Sequence, residues 1–198
     1  MRYVDDGDLT LTNALTDLAY VHRWTIVPTA RPQSVAEHSF AVAALVARLG
    51  QALHLRTQAI ATLVYLALLH DAEEAITGDI PGNLKIKIAA GSSEAQAEAQ
   101  AIQAIALRAI PALAPLRREL RADAADDDGC DGAFLGSLVH LADLWEAKRF
   151  ITLYGPPSGA PGGGIQYELG RRMQTLLAGF DHTTREALLE AIRLEDLR

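Results

Sequence analysis

The run 66–85, LALLHDAEEAITGDIPGNLK, gathers many reactive side chains into one short stretch. His70 and Asp71 are adjacent, Glu74 follows about one helical turn later, and Thr77, Gly78 and Asp79 precede Pro81 and Lys85. Imidazole nitrogen and carboxylate oxygen are the donors that divalent transition metals take from proteins, and a further carboxylate nearby suits acid-base work. If the apolar run 58–75 continues as one helix, His70, Asp71 and Glu74 share an edge, because residues three and four apart are neighbours. Asp79 lies close enough in sequence to reach the same pocket, and Lys85 can return across the intervening loop.

Two adjacent donors cannot complete a metal shell. His38 and Asp143 are the natural additions: His38 falls in the first turns of a predicted helix, and Asp143 interrupts the apolar run 134–145. A carboxylate in such a run has to be paired, metal-bound or turned to solvent. His140, one turn earlier, is either a further ligand or a hydrogen-bonded histidine near the helix surface. Arg23 and Trp24 end the first helical segment, where a charged fork and a flat ring either face a pocket or serve as a surface arginine and a core tryptophan. Glu146, Lys148 and Arg149 read as charges on the outer face. His54, after Gly50, reads as an exposed residue in a connection.

Helices must position these groups. Leu9, Leu11, Ala14, Leu15, Leu18 and Ala19 recur at helical spacing behind Asp8 or Thr10 as cap, and Thr25, Ile26 and Val27 then read as extended before Pro28. Ser34 and Glu37 have the spacing of a capping box, opening a second helix with Phe40, Ala41, Ala44, Leu45 and Leu49 on its apolar side. The near-continuous apolar character of 58–75 predicts a central helix enclosed by others. An alanine-rich helix over 93–110 carries Ile102, Ile105, Ala106 and Ala109, and a short one begins near Pro115 with Leu116 and Leu120 inward. After an acidic loop over 122–132 come a long helix from 134, a glycine-proline loop over 155–164, and helices over 165–178 and 183–194. Thr183 and Glu186 suggest a second capping box. The expectation is one all-α domain over 1–198 with about six or seven helices, the glycine-rich loop being an insertion and not a boundary.

Composition narrows the function classes. A chain of 198 residues, 49% hydrophobic, can bury a core without disulfides, and its lone Cys130 suits a reducing, cytoplasmic setting as an ordinary thiol. The net charge of −7 leaves no basic footprint for duplex nucleic acid. The opening MRYVDDGDLT lacks the features of a signal peptide, and polar groups flank the apolar run 59–69 well before it could span a bilayer, so no membrane partner is expected. The acidic loop lacks the spaced ligands of a calcium loop, and the glycines lack phosphate-loop spacing.

The arrangement His38, His70-Asp71, Asp143 resembles the H...HD...D pattern of HD-domain phosphohydrolases. Arg23-Trp24, the run from Ser34 to Ser39, His70 to Glu74, Thr77-Gly78-Asp79 and Lys85 resemble the YfbR-like 5′-deoxynucleotidases and, equally, the compact phage dATP/dNTP triphosphohydrolases. The resemblance implies an HD-type helical bundle in which His38, His70, Asp71 and Asp143 hold one catalytic zinc, cobalt, manganese or iron ion, with magnesium accompanying the substrate phosphates. Such an ion lowers the pKa of a coordinated water and polarises a phosphoryl oxygen. It further implies Glu74 as the acid-base group, Asp79 assisting, and Arg23, Trp24, Thr77 and Lys85 on the substrate. The implied reaction is hydrolysis of the 5′-phosphate ester of a deoxynucleotide, either a monophosphate releasing phosphate, the preferred reading, or a triphosphate releasing triphosphate. A nucleotide-binding regulatory protein without turnover is the alternative of another class. A homo-oligomer, dimer or higher, is implied as well.

Overall fold

The computed structural model describes residues 10–80, 93–125, 131–157, 159–160 and 162–196. Its helices are α1 (Leu11–Asp17), α2 (Val35–Ala52), α3 (Thr57–Leu69), one-turn α4 (Glu74–Thr77), α5 (Ser93–Ala109), α6 (Leu113–Ala125), α7 (Gly132–Tyr154), α8 (Ile165–Leu177) and α9 (His182–Asp196). A 3₁₀ turn, Leu18–Tyr20, continues α1. Among the described residues, eight α-helices run seven residues or more, above the expected six or seven, and the segment after Pro111 forms a full helix from Leu113 where a short one was expected. The fold is all-α, and no single helix among the described residues is long and apolar enough to cross a membrane.

Two apolar clusters carry the bundle. The larger joins α2, α3, α7, α8 and α9 through residues such as Val46, Leu63, Leu138, Leu141, Met173 and Leu188. The smaller gathers Ala14, Leu69, Ala72, Ile110 and Leu113. Leu69 and Ala72 flank the His70-Asp71 pair, so burial of these neighbours pins the backbone that carries the reactive groups; each full burial of a leucine contributes about 1.5–3 kcal/mol.

Helix starts follow their caps. Thr10 accepts from the Asn13 N–H, Ser34 from Glu37 at 3.1 Å, and Asp131 from Phe134 at 2.7 Å. Glu37 completes only half of the expected box, because its carboxylate makes a bidentate pair with Arg31 at 2.6 and 3.0 Å. The last helix is capped by Asp181, which accepts from the Thr184 N–H at 3.1 Å, and not by Thr183. The acidic loop is shorter than expected: Ala122 to Ala125 finish α6 and Asp131 opens α7. Residues 126–130, with Cys130, lie outside the described residues, as do 81–92 with Lys85.

The central helix stops earlier than its composition predicts. After Leu69 the bonds tighten to three-residue spacing, with the Ala72 N–H on Leu69 O and the Glu74 N–H on Asp71 O. No glycine or proline breaks this segment. The cause is tertiary: Arg117 of α6 donates to the carbonyls of Leu69 and of His70 (2.8 Å) and to Glu73 Oε2 (2.5 Å). A guanidinium thus occupies the carbonyl positions that the next helical turn would use. His70, Asp71 and Glu74 therefore sit on a tight turn between α3 and α4, and not along one regular helix.

Several apolar positions face outward where periodicity placed them inside. Phe40 is 72% exposed, and Ala44, Ile102 and Ile105 are exposed too. The surfaces of α2 and α5 are thus more apolar than an isolated bundle requires.

Removing the Arg117 clamp takes its donor from the His70 carbonyl and from Glu73, and one of two donors from the Leu69 carbonyl. Arg117→Met is expected to lower unfolding free energy by about 2–4 kcal/mol, as for loss of one partner of a part-buried charged pair. Urea denaturation checks this; an unchanged midpoint would show that solvent replaces the clamp at no cost.

Candidate active site

His38 lies in the first turns of α2 and is fully buried, at 0% exposure. Helix α7 holds both of its ring nitrogens: Nδ1–H donates to Glu146 Oε2 in a short contact, and Nε2 lies 3.2 Å from Asp143 Oδ1. Asp143 and Glu146 are three residues apart, so one face of α7 presents both carboxylates. His70, at the end of α3, donates from Nδ1–H to the Ala67 carbonyl at 2.6 Å and turns its Nε2 to Asp71 Oδ2 at 3.1 Å. Asp71 Oδ2 is 3.9 Å from His38 Nε2. The two imidazoles are 5.2 Å apart between centroids.

This is the donor arrangement of a divalent metal centre. Donor atoms of His38, His70 and Asp143 all lie within 4.8 Å of one another. Both Nε2 atoms are buried and make no hydrogen bond of normal geometry, while both Nδ1 atoms are held by an acceptor. Fixing Nδ1–H aims the Nε2 lone pair inward, the usual orientation of a metal-binding histidine. Asp71 stands beside this trio, within reach of both rings.

Arg23 approaches from the other side. Its guanidinium is 3.9 Å from Asp143 Oδ1 and 3.5 Å from Glu146 Oε2, and it lies over the Trp24 ring at 5.3 Å. These residues are brought here by a closed loop: His22 and Ser34 form an antiparallel bridge, the Arg23 N–H donates to Gln33 O at 2.9 Å, and the Val35 N–H to Val21 O at 2.9 Å. Inside the loop the backbone turns at once, with the Val27 N–H on Trp24 O, so Thr25 and Ile26 are not extended as expected. Trp24 has φ of 64°, a left-handed conformation that costs a bulky residue on the order of 1–3 kcal/mol. Its ring stacks parallel to Phe150 at 6.1 Å.

Glu146 corrects the sequence expectation of an outer charge. It is 5% exposed, accepts from His38 and from Gln33 Nε2–H at 2.7 Å, and faces Arg23. The signal was present: three residues after Asp143 and four before the buried Phe150, its position shares the inward face. Gln33, 2% exposed, carried no periodic signal. His140 is half-exposed, with Nδ1 3.7 Å from Asp143 Oδ2, on the rim of the group.

Of the remaining expected residues, Glu74 heads α4 and is buried, at 3% exposure. Thr77 ends that turn, donating to the Gly78 carbonyl at 2.9 Å, and Gly78 takes φ of 72°, which glycine adopts without strain. Asp79 follows, half-buried.

Residues 10–147 match the family described as YfbR-like 5′-deoxynucleotidase. The chain belongs to this family. A dATP triphosphohydrolase of Salmonella phage PMBT28 is 44% identical over 145 residues, covering 69% of this chain and 63% of the phage protein. A 5′-deoxynucleotidase of Cronobacter sakazakii is 31% identical over 104 residues, covering 51% of this chain and 50% of that protein. The matches thus span between half and two thirds of these relatives. Among solved structures, the cyanophage S-2L HD phosphohydrolase (DatZ), bound to dA and one catalytic Zn²⁺ ion, superposes with a TM-score of 0.75 at 25% identity, covering 96% of this chain and 98% of that one. The likeness to an HD phosphohydrolase bears out the expected fold class for this YfbR-like chain.

Charges in the site are mutually dependent. Burial disfavours the charged His70 ring, but Asp71, reinforced by Asp143, outweighs it and pushes the pKa up to about 9. Burial likewise opposes ionisation of Asp143, yet the neighbouring His140, His38 and His70 rings hold it well below the usual carboxylate range. Without metal, protonated His70 stabilises the folded state fully below its ordinary pKa of 6.5, and this contribution is lost as pH rises through about 9. Metal-stripped protein should therefore lose thermal stability between pH 7 and pH 10, and His70→Asn should flatten that loss. Melting scans across this range check the sign; greater stability at pH 10 would contradict it.

Proposed function

We propose that this YfbR-like chain hydrolyses the bond between the 5′-oxygen and the α-phosphorus of 2′-deoxynucleotides, with a divalent metal ion held by His38, His70, Asp71 and Asp143. The observation that carries the reading is the pair of buried, inward-facing Nε2 atoms beside Asp143. The zinc ion and dA named for DatZ support the same metal class and the same kind of substrate.

A divalent ion in this donor set supplies Lewis-acid stabilisation of a phosphoryl oxygen and lowers the pKa of water to near neutrality. The chain's own residues do the rest. Arg23 donates to the non-bridging phosphate oxygens, a charge-assisted bond strengthened by exclusion of water. Glu74 accepts the proton of the attacking water and returns it to the departing 5′-oxygen, so that phosphorus exchanges one oxygen for another and charge balances. What supports Glu74 is its burial directly after the metal-bearing turn. Asp79 orients Glu74 or the water, Trp24 forms the wall against the sugar, and Thr77 and Lys85 complete the substrate end.

The family description favours a monophosphate substrate. The longer and closer match to the phage dATP triphosphohydrolase favours a second reading, release of triphosphate by attack at the same phosphorus. Adenine deoxynucleotides are the first to test under either reading. A deoxynucleotide substrate suits the cytoplasmic setting suggested by the lone cysteine, and exposed Phe40 and Tyr65 on α2 and α3 support the homo-oligomer.

Metal-stripped protein reloaded separately with Zn²⁺, Co²⁺, Mn²⁺ and Mg²⁺ is to be assayed on dAMP, dATP and their ribonucleotides, with phosphate and triphosphate resolved. Hydrolysis of at least one deoxynucleotide is expected; binding without turnover would turn the assignment to a regulatory protein. Glu74→Gln should retain metal while turnover falls about 10²–10⁴-fold, the range for a general acid-base. His70→Ala and Asp71→Ala should lose metal as well. Metal content by mass spectrometry separates these cases, and normal turnover in Glu74→Gln would remove its acid-base role.

A further inference from the structure

Behind the metal donors lies a second line of polar groups, buried at Gln33 and Glu146, with one consistent hydrogen-bond polarity. The Trp24 indole N–H donates to Gln33 Oε1 at 2.9 Å. Gln33 Nε2–H donates to Glu146 Oε1 at 2.7 Å, and Glu146 Oε2 accepts from His38 Nδ1–H. Indole nitrogen can only donate, so it fixes which end of the amide faces it. The other end must then be a donor, which matches the Glu146 carboxyl oxygen it faces, and the remaining carboxyl oxygen fixes the tautomer of His38. Every group in this line has its partner, as burial of Gln33 and Glu146 requires.

We propose that Gln33 is a positioning residue that sets the Trp24 wall and the His38 ring in one fixed register. The inference rests on the phosphohydrolase reading for its substrate half; its metal half stands on the donor geometry alone. A left-handed Trp24 persists only if the surroundings hold it, and the bond to Gln33 is the polar tether of its ring. The same amide holds Glu146 against rotation away from His38. Loss of Gln33 therefore loosens the two ends of the site together: the ring that aims Nε2 at the metal position, and the ring that packs on the sugar. Outer partners of metal-binding histidines change metal affinity by about 10–100-fold when removed.

A polarity-matched exchange tests this without relying on a single disruptive variant. In Gln33→Glu the new carboxylate still accepts from Trp24 but opposes Glu146, acceptor against acceptor. In Glu146→Gln an amide donor meets the Gln33 donor. Combining Q33E with E146Q restores every donor to an acceptor: the residue 33 carboxylate accepts from Trp24 and from the residue 146 amide, whose oxygen accepts from His38. Zn²⁺ affinity is to be measured by chelator competition, Co²⁺ coordination by visible absorption, and discrimination by kcat/KM for a deoxynucleotide against its ribonucleotide.

Each single variant, and Gln33→Leu, is expected to weaken Zn²⁺ binding about tenfold or more. Each should also lower the deoxy-to-ribo ratio, while the double variant returns both to within about threefold of the parent, a strongly non-additive cycle. Additive losses in the double variant would overturn the proposal. Unaltered metal affinity and discrimination in a folded Gln33→Leu protein would do so too. If the parent hydrolyses no nucleotide, the functional reading fails, but the Zn²⁺ and Co²⁺ arms still decide whether Gln33 positions His38.

Discussion

Helix α7 grips one buried imidazole at both nitrogens, and the rest of the site is arranged around that grip. His38 has no solvent to satisfy its ring, so each nitrogen needs a protein or metal partner. Glu146 provides one and Asp143 faces the other, three residues apart on the same helix. Two carboxylates so close together, Glu146 buried and Asp143 partly so, would repel, and Arg23 lies against both. The guanidinium is available only because the loop from His22 to Ser34 is closed at its neck by backbone bonds immediately before Ser34 caps α2. Cap, bridge and ion cluster are thus one construction, in which local chain geometry delivers a cation to a core that could not otherwise hold its anions.

A different device serves the other half of the site. The turn after α3 is imposed by Arg117, which takes carbonyls that a continuing helix would have used, and by burial of Leu69 and Ala72 in the smaller apolar cluster. Donors on α2 and α7 are fixed by regular helix packing, whereas His70 and Asp71 are fixed by a backbone bend braced from α6. Precise ligand geometry needs rigid support of either kind, and a clamp of a few charge-assisted bonds can replace several turns of helix.

Local signals explain what could be read from the sequence. Ser34 marked the start of α2, the apolar run marked α3, and Asp143 stood out because an ionised group had no place in an apolar stretch. Glu146 satisfied the same criterion but is followed by Lys148 and Arg149, whose charges made the segment look like a solvated face. The early end of α3 was illegible because its cause sits 47 residues away at Arg117. Phe40, Ile102 and Ile105 misled for another reason: periodicity reports which face is apolar, but not whether this chain covers it. The alternation of large residues between inside and outside on α2 is decided by where α3 and α7 pack.

The electrostatics of the site also bear on the substrate. Asp71, Asp143 and Glu146 crowd the two histidines, and in metal-free protein the raised pKa of His70 means that a proton supplies part of the missing positive charge. In the proposed metal site, proton and metal ion would therefore compete for the same lone pair, as expected for ligands that must deprotonate to bind. A phosphate group, under the proposed function, brings its own negative charge to a cluster dominated by carboxylates, which Arg23 offsets in part. Under the proposed function, the cation is then required twice over, for the chemistry at phosphorus and for reversing the sign of the field that the substrate encounters. The second requirement follows from the carboxylate geometry of this chain, independently of how many phosphates the substrate bears.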